Sequence, residues 1–114
     1  MIDHEPERHE VEGRPVCVRT VPPLLAGEPH TIEATVTRPQ CAAWRAQACA
    51  FAIAGALAEL ADAGHEDGRV EVVGRFVVAF ETRRPRVGLA LVRDAIHLAH
   101  RRTVWLACAP RDVR

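Results

Sequence analysis

The longest apolar stretch of the chain lies within Gln40–Ala63. Eleven consecutive residues, Ala48–Ala58, carry no charge, side-chain amide or hydroxyl, and Ala and Leu are strong helix formers. Apolar residues recur at three- and four-residue spacing on two sides of this predicted helix. We therefore expect its second side to be covered by something other than its own sheet. The first stripe is Ala43, Ala46, Ala50, Ile53, Ala54, Leu57, Leu60 and Ala61, and the second is Trp44, Ala48, Phe51, Gly55 and Ala58.

The sequence around this helix also predicts its two ends. Thr37 and Gln40 have capping-box spacing, and Pro39 would occupy the first turn, where its missing N–H costs nothing. Gly64 follows the last apolar position and enters the left-handed conformation at little cost. Thr37 is thus the predicted N-cap and Gly64 the predicted C-terminal stop.

Alternation of apolar and polar residues predicts strands on both sides of the helix. Pro15–Val21 and His30–Thr37 form an expected hairpin, and Arg69–Thr82 is predicted as one long strand with a bulge or bend at Gly74. A hairpin that turns at Gly74 and Arg75 is the alternative.

Pro85 is expected to open a second helix, Arg86–Arg101, followed by a short final strand, Thr103–Ala107. The resulting order is ββαβαβ. It predicts an α+β, two-layer sandwich in which two helices cover one face of a four-stranded mixed sheet.

Charge is unevenly distributed along a chain whose formal net charge is zero. Residues 1–13 are rich in Asp and Glu, which predicts an acidic N-terminal arm. We expect residues 14–110 to form one α+β domain and residues 111–114 to form a short C-terminal tail. The last third is rich in Arg. We therefore expect the acidic arm to dock on arginines of that region.

The composition excludes several reaction classes. The chain has 15 Arg, and Lys, Ser, Asn and Tyr are absent, so it contains no Ser nucleophile, Schiff-base Lys or Tyr acid. A Gly-rich dinucleotide motif is missing, and no cofactor is expected. The four Cys are isolated and follow no secretory signal, which predicts a reducing cytoplasm. An uncharged run of eleven residues is shorter than the roughly 18 needed to span a membrane, so no membrane is expected.

Three groups of residues could carry chemistry. Arg83, Arg84 and Arg86 surround the predicted start of the second helix and form a candidate anion site, whose counter-charge would come from the acidic arm or from a phosphate-bearing small molecule. Cys41, in the first turn of the long helix, is a candidate nucleophile, and His97 is a second catalytic candidate. The alternative is that Cys41 packs as a buried thiol and that His97 faces solvent. The third group, Asp94, His97 and His100, has helical spacing and is a candidate metal site, for which a further ligand would have to come from Cys108 or from His4 and His9. The alternative is a solvated His-rich helix face.

These features favour a small assembly or accessory protein without catalysis of its own, either homo-oligomeric or bound to a protein partner. The alternative is a small phosphate-ligand-binding domain or an enzyme that uses the Arg cluster with a Cys or His. A nucleic-acid-binding module is a second alternative, disfavoured by zero net charge and few aromatic residues. The predicted interface lies on the long helix and comprises Trp44, Ala48, Phe51, Ala52 and Gly55.

Overall fold

The described part of the chain folds into one antiparallel sheet and two long helices. The structure is a computed structural model that describes residues 7–11, 14–37, 43–74 and 76–108. The order of elements is βββαββα. The elements are β1 (Glu7–Val11), β2 (Arg14–Val21), β3 (His30–Val36), α1 (Ala43–Ala63), β4 (Gly68–Val73), β5 (Val77–Thr82) and α2 (Pro85–Cys108).

The sheet has five strands in the spatial order β1-β2-β3-β5-β4, and every neighbouring pair is antiparallel. The predicted α+β class is confirmed, whereas the predicted four-stranded mixed sheet and the order ββαβαβ are wrong. Both helices pack together on the same face of the sheet. Three local differences between the predicted and observed elements explain the different number and order of strands. One lies near each end of the chain, and one lies in the middle.

The first difference lies in the segment predicted as an acidic arm. Glu7–Val11 is the edge strand β1, and it pairs with β2 through residues such as His9, which lies opposite Val16. Its inward positions are Glu7, His9 and fully buried Val11. Charged residues are common on edge strands, because they discourage pairing with other chains. These charges give β1 the composition that is typical of a mobile tail.

The second difference lies in Arg69–Thr82, which is a hairpin and not one long strand. β4 and β5 pair antiparallel with Val73 opposite Val77, and Gly74 in the connection has a φ of 66°. Because three residues separate the strands, inward-facing positions keep the same parity on both sides of the turn. A hairpin and a continuous strand therefore produce the same alternation. The alternative of a hairpin is confirmed at Gly74, and Arg75 lies outside the described residues.

The third difference is at the end of the chain. Thr103–Ala107, predicted as a strand, continues α2, which runs to Cys108. The β-branched and aromatic residues of this segment favour strands only weakly, and a short apolar run cannot be assigned by its periodicity. Neither Gly nor Pro interrupts the sequence between Gly88 and Pro110. A helix that begins at Pro85, as predicted, therefore has no local signal to stop it.

The core lies between the sheet and the helices. The predicted first stripe of α1 is buried at Ala46, Ala50, Ile53 and Leu57, and strands β2, β3 and β5 supply the opposing side chains. By length and composition alone, Ala46–Ala63 is also apolar enough to cross a membrane. In the fold, its apolar stripe packs against the sheet. The largest fully buried side chains are Phe80, Ile32, Ile53, Leu57, Ile96, Val11, Val16, Val18, Val36, Val78, Val92 and Thr82.

Helix α1 ends in a C-terminal capping motif whose left-handed residue lies one position later than predicted. His65 N–H donates to Asp62 O at 3.1 Å, and Glu66 N–H donates to Ala61 O at 2.9 Å. This is the Schellman arrangement, and its left-handed residue is His65, with φ 55°. The predicted left-handed stop at Gly64 is therefore wrong by one position. The predicted start with Pro39 and Gln40 lies outside the described residues.

Candidate functional site

The side of α1 that faces away from the sheet is apolar and uncovered in the single chain. Ala48, Phe51, Gly55 and Ala58 are exposed, and Ala52 is half-buried. Phe51 retains 55% of its accessible surface, and a Cβ built on Gly55 would meet nothing within 4 Å. We call these five residues the outer face of α1. Trp44 lies in the same helix, and its side chain is outside the described part of the chain.

Toward its C-terminal end, α1 carries a charged contact to α2. Arg102 donates two hydrogen bonds to the Glu59 carboxylate, at 2.8 and 2.9 Å. This hydrogen-bonded cation lowers the pKa of Glu59 and, reciprocally, the carboxylate raises the pKa of Arg102. Both side chains are about half exposed. The pair links the two helices at the surface and leaves the outer face of α1 free of charge from Ala48 to Ala58.

The predicted arginine cluster divides between two surface cavities. Arg83 donates to the carbonyl of Gly27 in the β2–β3 loop, and Arg84 pairs with Glu66 at 3.1 Å. Arg83 and Arg84 line one cavity of about 350 Å³, whereas Arg86 lines another of about 310 Å³. Neither of these two cavities is lined by all three of the arginines.

The larger cavity carries its own counter-charges. Besides Arg83, Arg84 and Arg69, it is lined by the carboxylates of Glu66, Asp67 and Glu81, together with Pro29, Gly68 and Thr82. The Glu66 side chain is only 8% exposed, so its ion pair with Arg84 is shielded from solvent on one side. Among the described residues, the counter-charge of Arg84 is thus Glu66, eighteen residues away in sequence. The sequence offered no signal for this pair, because nothing local connects the end of α1 with the start of α2.

Two hydrogen bonds of the Arg84 backbone define the start of α2. Arg84 N–H donates to the buried Thr82 Oγ1 at 3.0 Å, and Gly88 N–H donates to Arg84 O at 2.8 Å. Arg84 therefore occupies the N-cap position, and Pro85 is the first helical residue, where proline is favoured. Arg84 pairs with Glu66 from this N-cap position, and Arg86 is the second residue of the helix.

The acidic N-terminal segment does contact an arginine of the last third, although as a strand. Arg93 on α2 donates from Nε to Glu7 Oε1 at 2.8 Å and makes a second contact to Glu7 Oε2. Chiefly because of this hydrogen-bonded guanidinium, the pKa of Glu7 falls to about 2. His9 lies beside the same carboxylate at 3.2 Å, and its ring meets the His97 ring edge-to-face with centroids 5.8 Å apart.

Three of the remaining chemical candidates lie on α2. Asp94 and His97 are exposed on α2, and His100 is half-buried. Within the described ranges, no group of three or more His, Cys, Asp or Glu side chains is placed to hold a metal ion. Cys41 lies outside those ranges, so its suggested role as a nucleophile stays a prediction.

Comparisons with protein-family models, curated proteins and solved structures found no match for this chain.

Proposed function

We propose that this chain is a small assembly or accessory protein that associates with a second copy of itself through the outer face of α1. The observation that carries the proposal is the exposure of Phe51, 55% of whose surface is accessible in the middle of an uncharged helix face. A large aromatic side chain that stays in contact with water forgoes roughly 1.5–3 kcal/mol of burial free energy. Covering it by another surface would recover part of that free energy.

The shape of this face suits a second helix. Small residues, Ala48, Ala52, Gly55 and Ala58, surround the single large side chain of Phe51. Small residues let two helix backbones approach closely, and an aromatic side chain on one copy can fill the shallow space above a glycine on the other. A two-fold interface repeats the same patch on both subunits. A face that combines one projection with adjacent small residues meets that requirement.

The other open face of the molecule is a poorer candidate for this contact. The outer side of the sheet carries charged residues on several strands, including an ion pair from Arg19 to Glu33 at 2.9 Å, and Glu71 and Glu81 are exposed there. Burying such charges is costly unless every one finds a partner. Among the described surfaces, the outer face of α1 therefore offers the contact with the least desolvation cost.

The proposal assigns no catalytic step and no cofactor to the chain. The absence of Ser, Lys and Tyr leaves few side chains able to act as nucleophiles or acids. Isolated cysteines are typical of proteins in a reducing compartment, and we propose that this chain lies in the cytoplasm. The described residues include Cys17, a half-buried free thiol.

The test is the oligomeric state of the protein and of two matched variants. Ala48 and Ala90 are both exposed alanines inside helices, and only Ala48 belongs to the outer face of α1. Sedimentation velocity at micromolar concentration should show an oligomer for the unmodified protein and for Ala90→Glu, and a monomer for Ala48→Glu, because an unpaired charge buried in an interface typically costs several kcal/mol. Gly55→Arg should have the same effect as Ala48→Glu. An unmodified protein that sediments as a monomer, with no copurifying partner, would refute the proposal.

A further inference from the structure

A second cavity, of about 310 Å³, lies where β2 ends, β3 begins and α2 starts. Thr20, Pro22 and His30 line it from the sheet side, and Pro85, Arg86 and Leu89 line it from the helix. Its volume falls at the lower end of the range found for small-molecule sites. The cavity could hold a compact ligand of a few heavy atoms more readily than a nucleotide.

The charge of this cavity differs from that of its neighbour. Among the described residues that line this cavity, only Arg86 and His30 are titratable, and none carries a carboxylate. The neighbouring cavity instead balances three arginines with three carboxylates. Among the described residues, Arg86 belongs to none of the ion pairs, whereas Arg84 is paired with Glu66. Within the described part of the chain, Arg83 and Arg84 each donate a side-chain hydrogen bond to a protein oxygen, whereas Arg86 makes none, so all of its N–H donors are available to a ligand.

The rest of the lining indicates which kind of anion would fit. Pro22, Pro85 and Leu89 form an apolar wall, and Thr20 adds one hydroxyl group. A guanidinium group binds a carboxylate through two parallel hydrogen bonds. A phosphate carries close to two charges and is strongly hydrated, so one guanidinium beside an apolar wall compensates its desolvation poorly.

We propose that this cavity is a binding site for a small carboxylate that carries a short apolar body. Arg86 binds the carboxylate, His30 and Thr20 supply additional hydrogen bonds, and the apolar wall covers the body of the ligand. The site is separate from the outer face of α1 and involves none of its residues. Its occupancy can therefore be tested whether or not the chain self-associates.

Thermal unfolding of the full chain with benzoate as the probe tests the site directly. A ligand that binds only the folded state stabilises it by mass action, and at ten times Kd the midpoint should rise by about 5 °C for a domain of this size. Acetate has the same carboxylate without the apolar body and should produce a much smaller shift at equal concentration. Inorganic phosphate, at matched ionic strength, should also have little effect. A phosphate shift equal to the benzoate shift would overturn the assignment to an apolar carboxylate.

Two arginine variants make the test specific to the cavity. Arg83 and Arg86 are both exposed and three residues apart, but only Arg86 lines the proposed site. Arg86→Gln should abolish the benzoate shift, and Arg83→Gln should retain it. Circular dichroism checks that both variants are folded, and amide NMR shifts should locate the bound benzoate near His30 and Leu89. A shift retained by Arg86→Gln, or NMR changes confined to another surface, would overturn the proposal.

Discussion

Glu7 on β1 and Arg93 on α2 form a two-point ion pair that joins the edge strand to the second helix. The residues are 86 positions apart in sequence, and the bond from Arg93 Nε to Glu7 Oε1 is 2.8 Å long. The contact fastens a short, charged strand to the helix layer, in addition to the ladder that β1 shares with β2. It explains how a segment with only one fully buried apolar side chain, Val11, becomes part of the sheet.

This ion pair predicts a stability contribution that depends on pH. The pKa of Glu7 in the folded protein is about 2, below its ordinary value of 4.5, chiefly because of the hydrogen bond from Arg93. The contribution should be complete above about pH 4.5 and should be lost as the pH falls toward 2. Because the pair is partly exposed, we expect Glu7→Gln to cost no more than about 1 kcal/mol near neutral pH.

Urea unfolding between pH 2 and 7 measures this effect. The difference between Glu7→Gln and the unmodified protein should shrink as the solution is acidified. Glu10→Gln is the matched control, since Glu10 is exposed on the other face of the same strand and should cost much less. A difference that stays constant across the whole pH range would contradict the role assigned to the ion pair.

A second prediction concerns the close approach of Gly68 to Phe80. A Cβ at Gly68 would lie 2.2 Å from Phe80 Cζ and 3.2 Å from the carbonyl oxygen of Glu81. Phe80 is fully buried, so its ring cannot move aside without disturbing the core. Gly68→Ala should therefore destabilise the protein by about 1–3 kcal/mol, the usual cost of overpacking.

Gly55 supplies the control for this substitution. A Cβ there would meet nothing within 4 Å, and alanine is a better helix former than glycine by roughly 1 kcal/mol. In the monomer, Gly55→Ala should raise the free energy of unfolding, whereas Gly68→Ala should lower it. Chemical denaturation at a concentration below self-association compares the two. Equal effects of the same sign would rule out the steric explanation.

A third prediction follows from the left-handed conformation of His65. Its φ is 55°, a region that residues with a Cβ enter at a cost of roughly 1–2 kcal/mol and glycine enters almost freely. Because the side chain of His65 is exposed, little packing is lost when it is removed. His65→Gly should raise the free energy of unfolding by about 1 kcal/mol, and His65→Val should lower it, as measured by thermal or urea unfolding. A less stable His65→Gly variant would show that the histidine side chain contributes more than its backbone conformation costs.

The ion pair between Arg84 and Glu66 could not be predicted from the local sequence of either residue. The position of Arg84 at the start of α2 was predictable from Pro85, but its partner Glu66 follows α1 and lies near Arg84 because β4 and β5 pair as a hairpin. The division of Arg83 and Arg86 between two cavities has the same origin. Side chains near in sequence can point into different surroundings once a helix begins between them.

The sequence by itself determined the α+β class, both helices, the inward stripe of α1 and the start of α2, because these depend on periodicity and on local proline and glycine signals. The tertiary structure decided the number of strands and their pairing. An odd-length turn leaves the alternation of Arg69–Thr82 unchanged, the charges of Glu7–Val11 conceal an edge strand, and the apolar segment Thr103–Ala107 is compatible with either a helix or a strand. In each case the local sequence is compatible with more than one conformation, so long-range packing and hydrogen bonding select the observed one.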